Sequence, residues 1–340
     1  MLKVGIAGFG FMGRMHYRVW DQVEDVRVTT ICDANPNIKQ EIDKPVGNIP
    51  GAAIEIDFDE VALFHDFEKM LAEAEMDALS LTLPTFMHSG TTRQALRAGY
   101  HVLCEKPMAL NLEECDAMIQ AARETGKILQ IGQCIRFWPE FTNAKEIIES
   151  GEYGSILAAS FRRLGAPPAW GEDNWFENVE LSGGLALDLH IHDTDYIHHL
   201  FGMPEAVCSG GTLGPQKELL HMGTQYFYPE DIMVSAEGSW IMSDTFGFEM
   251  SYHMMLEGAT LVFSSAGDPT LRVLPDSGDP FTPDLPDGDG YFWEIDHFAK
   301  RVMGEAVPEV TTPEQSRDSV KIILAEKESV KKQEKVVLSD

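Results

Sequence analysis

The 340-residue sequence has no long uninterrupted hydrophobic run. No window approaches the roughly 18 apolar residues that a membrane-spanning helix requires. The N-terminus also lacks the charged and apolar segments of a secretory signal, because a strand-like pattern (Leu2, Val4, Ile6, Ala7) begins at once. We therefore expect a cytoplasmic protein without a membrane partner.

Cysteine and basic residues are both scarce. The five cysteines are an odd number without C-x-x-C spacing, which argues against a disulfide framework or a zinc site. Only 26 Lys and Arg residues oppose 55 Asp and Glu residues, so the formal net charge is −29. That much negative charge repels phosphate backbones, and we expect no nucleic-acid partner.

The length exceeds the ~100–200 residues typical of one domain, which favours two domains. In the first part of the chain, short apolar runs alternate with helical patterns, which indicates βαβ units and a parallel sheet. Beyond Cys134, strand-like segments mostly lack long helices between them, which favours an antiparallel sheet. We predict one domain at residues 1–133 and a second at residues 134–340.

Local patterns predict individual elements within this plan. A helix is expected at 61–73 in the first domain, and two closing helices at 292–303 and 313–332. The strands predicted for the second domain are 156–163, 206–211, 233–242, 246–253, 259–264 and 270–274.

Gly8, Gly10 and Gly13 have the spacing G-x-G-x-x-G between an apolar run and a helical pattern. The first glycine allows a tight turn, the second lets the backbone approach a pyrophosphate, and the third lets the helix pack close to the strand. The helix N-terminus at Phe11 and Met12 favours a negatively charged group. The alternative interpretation is a glycine turn without a ligand. His16, behind this turn, is interpreted as a packing residue.

Asp33 ends the next strand-like segment, residues 26–32. It lies about twenty residues beyond the last glycine, where a dinucleotide site needs a carboxylate for the ribose hydroxyls. The same carboxylate would repel a 2′-phosphate, and no arginine follows it closely. The sequence therefore favours NAD over NADP.

Residues 183–202 contain four histidines and three aspartates, the densest group of titratable side chains in the chain. Their helical pattern puts Asp188 and His192 on one face, where a carboxylate can orient an imidazole and raise its basicity. His190 and His192 also form H-x-H, but residues two apart on a helix lie about 200° apart, so we predict no metal site. The alternative is a capped helix with surface histidines.

Three motifs together resemble the Gfo/Idh/MocA oxidoreductases over nearly the whole chain. They are the glycine motif, Glu105-Lys106-Pro107 after a strand, and a G-G-x-x-x-D-x-x-x-H run beginning at Gly183. The resemblance implies an α/β fold with an N-terminal Rossmann domain, a doubly wound parallel sheet. A C-terminal α/β domain with a large, open, mainly antiparallel sheet would follow, which often pairs subunits into homodimers or homotetramers.

The resemblance also implies an NAD-dependent dehydrogenase acting on a hydroxyl of a polyol, sugar or sugar derivative. Lys106, Asp188 and His192 would be its catalytic residues, meeting the nicotinamide in one cleft. His192 would take the hydroxyl proton, Asp188 would support the imidazolium, and Lys106 would stabilise the reacting oxygen. Members of the family differ over whether the lysine or the histidine carries the proton.

The predicted binding residues form two sets. The cofactor set is Gly8, Gly10, Phe11, Met12, Gly13, Asp33, Pro84, His88, Glu105 and Lys106. The substrate set is Lys106, Arg136, Trp170, Trp175, Asp188 and His192. The tryptophans are included because their faces commonly stack on sugar rings, although they could equally be core or interface residues.

Two other functions fit the same motifs. Some relatives use bound NAD transiently to cleave glycosides, and net NADH production separates a dehydrogenase from these. Others bind cofactor and sugar as sensors without turnover, and they are expected to lose the lysine or the Asp-His pair, which this chain keeps. The chain also departs from the usual pattern, because His190 stands where many relatives have glycine.

Overall fold

The computed structural model describes residues 1–41, 56–167, 178–229 and 231–338. These residues form two compact units. The first consists mainly of Met1–Cys134 and Gly290–Arg317, and the second mainly of described residues within 135–167, 183–289 and 318–338.

Helices lie in both units, and in the described ranges none combines the length and the apolar character needed to cross a bilayer. In chain order they are α1 (Phe11–Trp20), α2 (Ile38–Glu41), α3 (Phe67–Glu73), α4 (His88–Arg97), α5 (Leu112–Thr125), α6 (Pro139–Ser150), α7 (Val179–Ser182), α8 (Ile191–Phe201), α9 (Gly290–Val302) and α10 (Pro313–Lys332).

A six-stranded parallel sheet forms the centre of the first unit. Its strands are β1 (Leu2–Ala7), β2 (Val26–Cys32), β3 (Ala62–Phe64), β4 (Ala78–Leu81), β5 (His101–Glu105) and β6 (Leu129–Gly132). The order β3-β2-β1-β4-β5-β6 is that of a doubly wound sheet. Strand order reverses beside β1, and ligands of such sheets bind beyond the carboxyl ends of the strands at that point.

The predicted helix at 61–73 is wrong in its first half. Residues 62–64 form the edge strand β3, which pairs with the last residues of β2. Helix α3 begins only after Asp66, whose side chain accepts a hydrogen bond from the Lys69 N–H. This cap satisfies a backbone donor at the helix start, so it fixes the boundary that a periodic apolar pattern cannot show.

The core of the first unit includes a helix from late in the chain. Ile295, Phe298 and Ala299 of α9 are fully buried in the same apolar cluster as β1 and α1. The rings of Trp20 and Phe298 meet edge to face, with centroids 6.2 Å apart. The packing of α1, which follows the glycine turn, therefore depends on residues nearly three hundred positions away.

An eight-stranded sheet forms the centre of the second unit. Its strands are β7 (Ile156–Gly165), β8 (Ala206–Leu213), β9 (Leu219–Phe227), β10 (Met233–Ser239), β11 (Phe248–Leu256), β12 (Ala259–Ser264), β13 (Leu271–Pro275) and β14 (Val336–Val337). The order is β13-β12-β11-β7-β10-β9-β8-β14, and every neighbouring pair is antiparallel except β7 with β10. Buried and partly exposed residues alternate along β12, so one face is packed and the other is open. The predicted fold class is confirmed, although β9 was not among the predicted strands.

Aromatic side chains hold α8 against this sheet. Tyr196 of α8 meets Phe141 edge to face at 4.8 Å and donates a hydrogen bond from its hydroxyl to the Phe141 carbonyl at 2.6 Å. Phe161, Tyr252 and Phe263 from β7, β11 and β12 complete the cluster. The helix is thereby fixed on the packed face of the sheet.

Candidate active site

The glycine turn between β1 and α1 has a different steric reason for each glycine. Gly8 has φ +87°, and a Cβ there would lie 2.7 Å from the Thr82 carbonyl oxygen. A Cβ on Gly13 would lie 2.1 Å from the Gly8 carbonyl oxygen, so no larger residue fits. A Cβ on Gly10 would meet no atom within 4 Å. Gly8 and Gly13 therefore leave no room for a side chain, whereas there is open space beside Gly10.

The N-terminus of α1 points its positive dipole end into this turn. Phe11 and Met12 begin the helix and are half-buried, and the first bond of the helical type runs from the Arg14 N–H to the Gly10 carbonyl. The first turn of α1, all of which is described, contains no acidic residue, and Gly10 provides no side-chain cap. The space beside Gly10 and the positive end of the helix dipole therefore fit a pyrophosphate.

Asp33 follows β2 directly and is held by the backbone. Its Oδ2 accepts a hydrogen bond from the Phe9 N–H at 2.6 Å, and its Oδ1 accepts one from the Asn35 N–H at 2.8 Å. Each carboxylate oxygen has a further lone pair, and the side chain is half-buried. Asp33 is therefore oriented beside the glycine turn and can accept hydrogen bonds from ribose hydroxyls.

Pro84 and His88 belong to the segment after β4. Pro84 is half-buried, whereas His88 is buried with Nδ1 2.8 Å from the Pro107 carbonyl oxygen and Nε2 2.8 Å from the Leu83 carbonyl oxygen. Burial lowers the pKa of His88, but Cys104 and the two carbonyls outweigh it and raise the pKa to about 9. A protonated ring donates to both carbonyls and joins two loops. The predicted contact of His88 with the cofactor stays a prediction.

The Glu105-Lys106-Pro107 turn begins at the last residue of β5, with Glu105 and Pro107 buried and Lys106 half-buried. Glu105 Oε1 lies 2.9 Å from His16 Nε2, and Oε2 accepts the Lys106 N–H at 3.1 Å. His16 Nδ1 is 3.1 Å from the Ser80 hydroxyl. His16 is completely buried, as expected of a packing residue, but it also makes these two polar contacts. Its partner Glu105 is 89 positions away in the sequence. The one sequence signal for this contact is that His16 is a polar residue on an apolar helix face.

These groups come together because the strands are parallel. The glycine turn, Asp33, Pro84 and Lys106 follow β1, β2, β4 and β5, so all four lie at the carboxyl edge of one sheet. That edge is where open α/β sheets bind their ligands. The first unit therefore brings together the central part of the predicted cofactor set.

In the second unit, Asp188 lies on a π-helical turn, Ala186–His190, that leads directly into α8. His192 lies in the first turn of α8, and both side chains are half-buried. Single π turns inside helices occur frequently at functional sites, because they alter where side chains point. This turn is a local signal for function that the helical period did not reveal.

The other aspartates of this segment form buried ion pairs. The Arg163 guanidinium donates to both carboxylate oxygens of Asp193, at 3.1 and 2.8 Å. Arg136 donates likewise to Asp195, at 2.7 and 2.8 Å, and Ser319 adds a hydrogen bond to Asp195. These bidentate pairs fix α8 in place.

Arg136 was predicted to contact substrate, but its side chain and that of Asp195 are completely buried. Its Nη1 also donates to His199 Nδ1 at 3.3 Å. Burial and the neighbouring guanidinium lower the pKa of His199 to about 3, so this ring stays neutral. The predicted substrate residues Trp170 and Trp175 lie outside the described residues.

The His190 side chain is completely buried. Its Nε2 lies 3.2 Å from Glu326 Oε2, with both side chains completely buried. The Thr194 hydroxyl donates to Glu326 Oε1 at 3.2 Å. Gly238 leaves room for the ring, because a Cβ there would lie 2.9 Å from His190 Nδ1. The contact ties the π-helical turn to α10.

Two family models match the chain, and together they cover more than half of it. Residues 2–133 match an oxidoreductase family with an NAD-binding Rossmann fold. Residues 141–261 match the GFO/IDH/MocA C-terminal domain.

Curated relatives are similar over part of their length. A 2,7-anhydro-N-acetylneuraminate hydratase of Escherichia coli (strain K12) is 25% identical over 237 residues, which cover 66% of this chain and 59% of the relative. A myo-inositol 2-dehydrogenase of Thermotoga maritima is 27% identical over 216 residues, 62% of this chain and 59% of the relative. The chain thus spans about three fifths of the length of these relatives.

A solved structure agrees with the fold over the whole chain. The WlbA dehydrogenase from Bordetella pertussis, in complex with NADH and UDP-GlcNAcA, has a TM-score of 0.81 and 22% sequence identity. The match covers 100% of this chain and 98% of that one. Both family models agree with the two sheets described above, and the chain belongs to the Gfo/Idh/MocA oxidoreductases, with an NAD-binding Rossmann domain.

Proposed function

We propose that this protein is an NAD-dependent dehydrogenase acting on a hydroxyl of a polyol, sugar or sugar derivative. One observation carries the proposal: the glycine turn, Asp33 and Lys106 lie at the same carboxyl edge of the first sheet. A lysine beside a dinucleotide site can act on the reacting part of a substrate, whereas a lysine elsewhere on the surface cannot. The inositol dehydrogenase and hydratase relatives support a carbohydrate-like substrate.

The first unit would hold the cofactor through three contacts. The N-terminus of α1, at Phe11 and Met12, would bind the pyrophosphate in the space beside Gly10. Asp33 would accept hydrogen bonds from the adenosine ribose and repel a 2′-phosphate, which favours NAD over NADP. Pro84 and the Glu105–Lys106 turn would line the nicotinamide end.

The side chains proposed to act on the substrate are the three that the family resemblance assigns. NAD, when bound, supplies a hydride acceptor at the nicotinamide. His192 would take the proton of the substrate hydroxyl, and Asp188 would orient its ring and stabilise the charge that the ring gains. The Lys106 ammonium would donate a hydrogen bond to the reacting oxygen and stabilise its developing negative charge. Arg136 would instead support α8 through Asp195.

A second candidate function is redox-neutral chemistry, in which NAD is used transiently. The hydratase among the relatives favours it, because a hydration has no net oxidation. A glycoside-cleaving reaction would belong to the same class. Such an enzyme consumes substrate without accumulating NADH, whereas a dehydrogenase forms one NADH for each substrate oxidised.

The test is NADH absorbance with purified protein, NAD and a panel of inositols, aldoses, sugar acids and amino sugars. We expect NADH formation with at least one compound. Lys106→Ala and His192→Ala should lower kcat by about 10²–10⁴-fold, since each removes a group that acts on the reacting oxygen or proton. Both variants should bind NAD within about threefold of wild type.

Two outcomes would reject this proposal. If either variant kept wild-type turnover, the catalytic role assigned to the substituted residue would be wrong. If no compound yields NADH but a substrate is consumed in the presence of NAD, the redox-neutral function would be favoured over the dehydrogenase.

We also propose that the protein is a cytoplasmic homodimer or homotetramer that pairs through the open face of the second sheet. Partly exposed residues alternate with buried ones along β10 and β12, which leaves that face uncovered. Sedimentation equilibrium should then give a mass two or four times that of the 37.9 kDa chain. A monomer mass at micromolar concentration would contradict the assembly.

A further inference from the structure

A buried chain of hydrogen bonds runs behind the glycine turn. The Trp20 ring N–H donates to the Ser80 hydroxyl oxygen at 2.9 Å, and this hydroxyl lies 3.1 Å from His16 Nδ1. His16 Nε2 lies 2.9 Å from Glu105 Oε1. His16 is completely buried, and Glu105 is 5% exposed. Trp20 and His16 belong to α1, Ser80 to β4 and Glu105 to β5, so the chain joins three elements.

The chemistry of the groups sets the direction of the bonds. The Trp20 N–H can only donate, so the Ser80 oxygen accepts it. A carboxylate can only accept, so His16 Nε2 donates to Glu105 Oε1. Burial raises the pKa of the Glu105 carboxyl, but His16 and Lys106 outweigh it and lower the pKa. Glu105 therefore remains a carboxylate that accepts hydrogen bonds on both oxygens.

The second oxygen of Glu105 reaches the backbone of Lys106. Oε2 accepts the Lys106 N–H at 3.1 Å. The carboxylate fits because the neighbouring residue on β6 is Gly132, where a Cβ would lie 3.2 Å from the carboxyl carbon. On the other side of the turn, His88 donates to the Pro107 carbonyl at 2.8 Å. The turn is thus held from both sides, and Lys106 is its one side chain that is not buried.

We propose that the His16–Glu105 pair positions Lys106 relative to the helix that begins at the glycine turn. The inference rests on the proposed catalytic role of Lys106. His16 and Glu105 are positioning residues, which act through the Lys106 backbone. Misplacing a reacting group by about 1 Å can cost about 100-fold in rate, so removing the pair lowers kcat far more than it weakens NAD binding.

Two substitutions of one residue separate positioning from packing. His16→Gln keeps an N–H donor near the position of Nε2, which can reach Glu105. His16→Asn keeps a polar group near Nδ1 for Ser80 but is too short to reach Glu105. We expect His16→Asn to lower kcat by about 10- to 100-fold with the Kd for NAD within threefold, and His16→Gln to retain most of kcat.

A double-mutant cycle tests whether His16 acts through Glu105. Glu105→Ala and the double variant with His16→Asn should lose similar activity, because the second substitution removes a contact that is already absent. Glu75→Gln, which alters an exposed ion pair with Lys3 in the same unit, is the matched control and should leave kcat unchanged.

Amide hydrogen exchange gives a readout that does not depend on turnover. The peptide containing Lys106 should exchange faster in His16→Asn than in His16→Gln, while peptides from β12 should not change. Equal loss of kcat in both His16 variants, or equal exchange of the Lys106 peptide in both, would overturn the inference. Wild-type turnover in Lys106→Ala would overturn the proposed function instead, and the exchange comparison would still decide whether the pair holds the Lys106 backbone.

Discussion

At the scale of single residues, we predict that Asp33 decides which dinucleotide binds. Hydrogen bonds to a charged group contribute about 1.5–3 kcal/mol, so Asp33→Ala should raise the Kd for NAD by roughly 10- to 100-fold. Asp33→Asn keeps an oxygen for the Phe9 N–H but removes the charge that repels a 2′-phosphate. Fluorescence titration with NADH and NADPH should therefore show a smaller preference for NADH in the Asn variant. An unchanged preference would reject the role given to this carboxylate.

His88 makes the stability of the first unit depend on pH. Its pKa of about 9 in the folded protein lies above the ordinary 6.5, so its stabilisation is complete below about pH 6.5 and is lost as pH rises through 9. The difference corresponds to about 3 kcal/mol. Urea unfolding at pH 6 and pH 9.5 should show this loss in wild type but not in His88→Gln. Parallel pH profiles of the two proteins would contradict a protonated His88.

The sequence could predict the place of a residue in the site where that place depends on short-range spacing. It could not do so where the place depends on long-range contacts. The glycines and Asp33 are related by one βαβ unit, so their spacing alone placed them at one edge of the sheet. The contact of His16 needs Glu105, which lies 89 positions further along the chain. Arg136 has the chemistry of a substrate ligand, but it is buried against Asp195, and no local sequence pattern indicates this tertiary contact.

At the scale of elements, the junction between β1 and α1 tolerates no side chain at Gly13. A Cβ there would lie 2.1 Å from the Gly8 carbonyl oxygen, which is backbone and cannot move without opening the turn. Gly13→Ala should therefore lower the melting temperature and abolish detectable NAD binding in calorimetry.

Gly90 in α4 provides the matched control for this substitution. A Cβ at Gly90 would meet no atom within 4 Å. Gly90→Ala should stabilise the protein by about 0.5–1 kcal/mol through helix propensity and leave NAD binding unchanged. Equal effects of the two alanine substitutions would show that the glycine turn is not sterically closed.

The predicted boundaries of elements were wrong where strand pairing or a helix cap determines the boundary. The apolar residues of β3 fit a helical period as well as a strand, and only pairing with β2 selects the strand. Strand β9 contains a glycine and polar residues, so its alternation is weak, yet it pairs along its length with both β8 and β10. In both cases a neighbouring strand supplies the information that a short segment lacks.

At the scale of the whole molecule, the two units interleave along the chain. Helix α9 follows the second sheet in sequence but packs on α1 in the first unit. Hydrophobic periodicity predicts that α9 has an apolar face without specifying which core that face joins. Local sequence patterns therefore predict both sheets. Which unit a late helix such as α9 joins depends on long-range contacts such as that of Trp20 with Phe298.

The net charge of −29 should make the protein more stable as salt is added at low ionic strength. Like charges repel one another in the folded state, and raising the salt from about 0.01 to 0.15 M shortens the screening length from about 30 to 8 Å. Salt also weakens exposed ion pairs such as Lys3–Glu75 and Arg27–Glu60, but pairs that are exposed to solvent contribute little to stability. Scanning calorimetry should therefore show a higher melting temperature at 0.15 M, by the same amount in NaCl and KCl. A lower melting temperature would mean that paired charges outweigh the net repulsion.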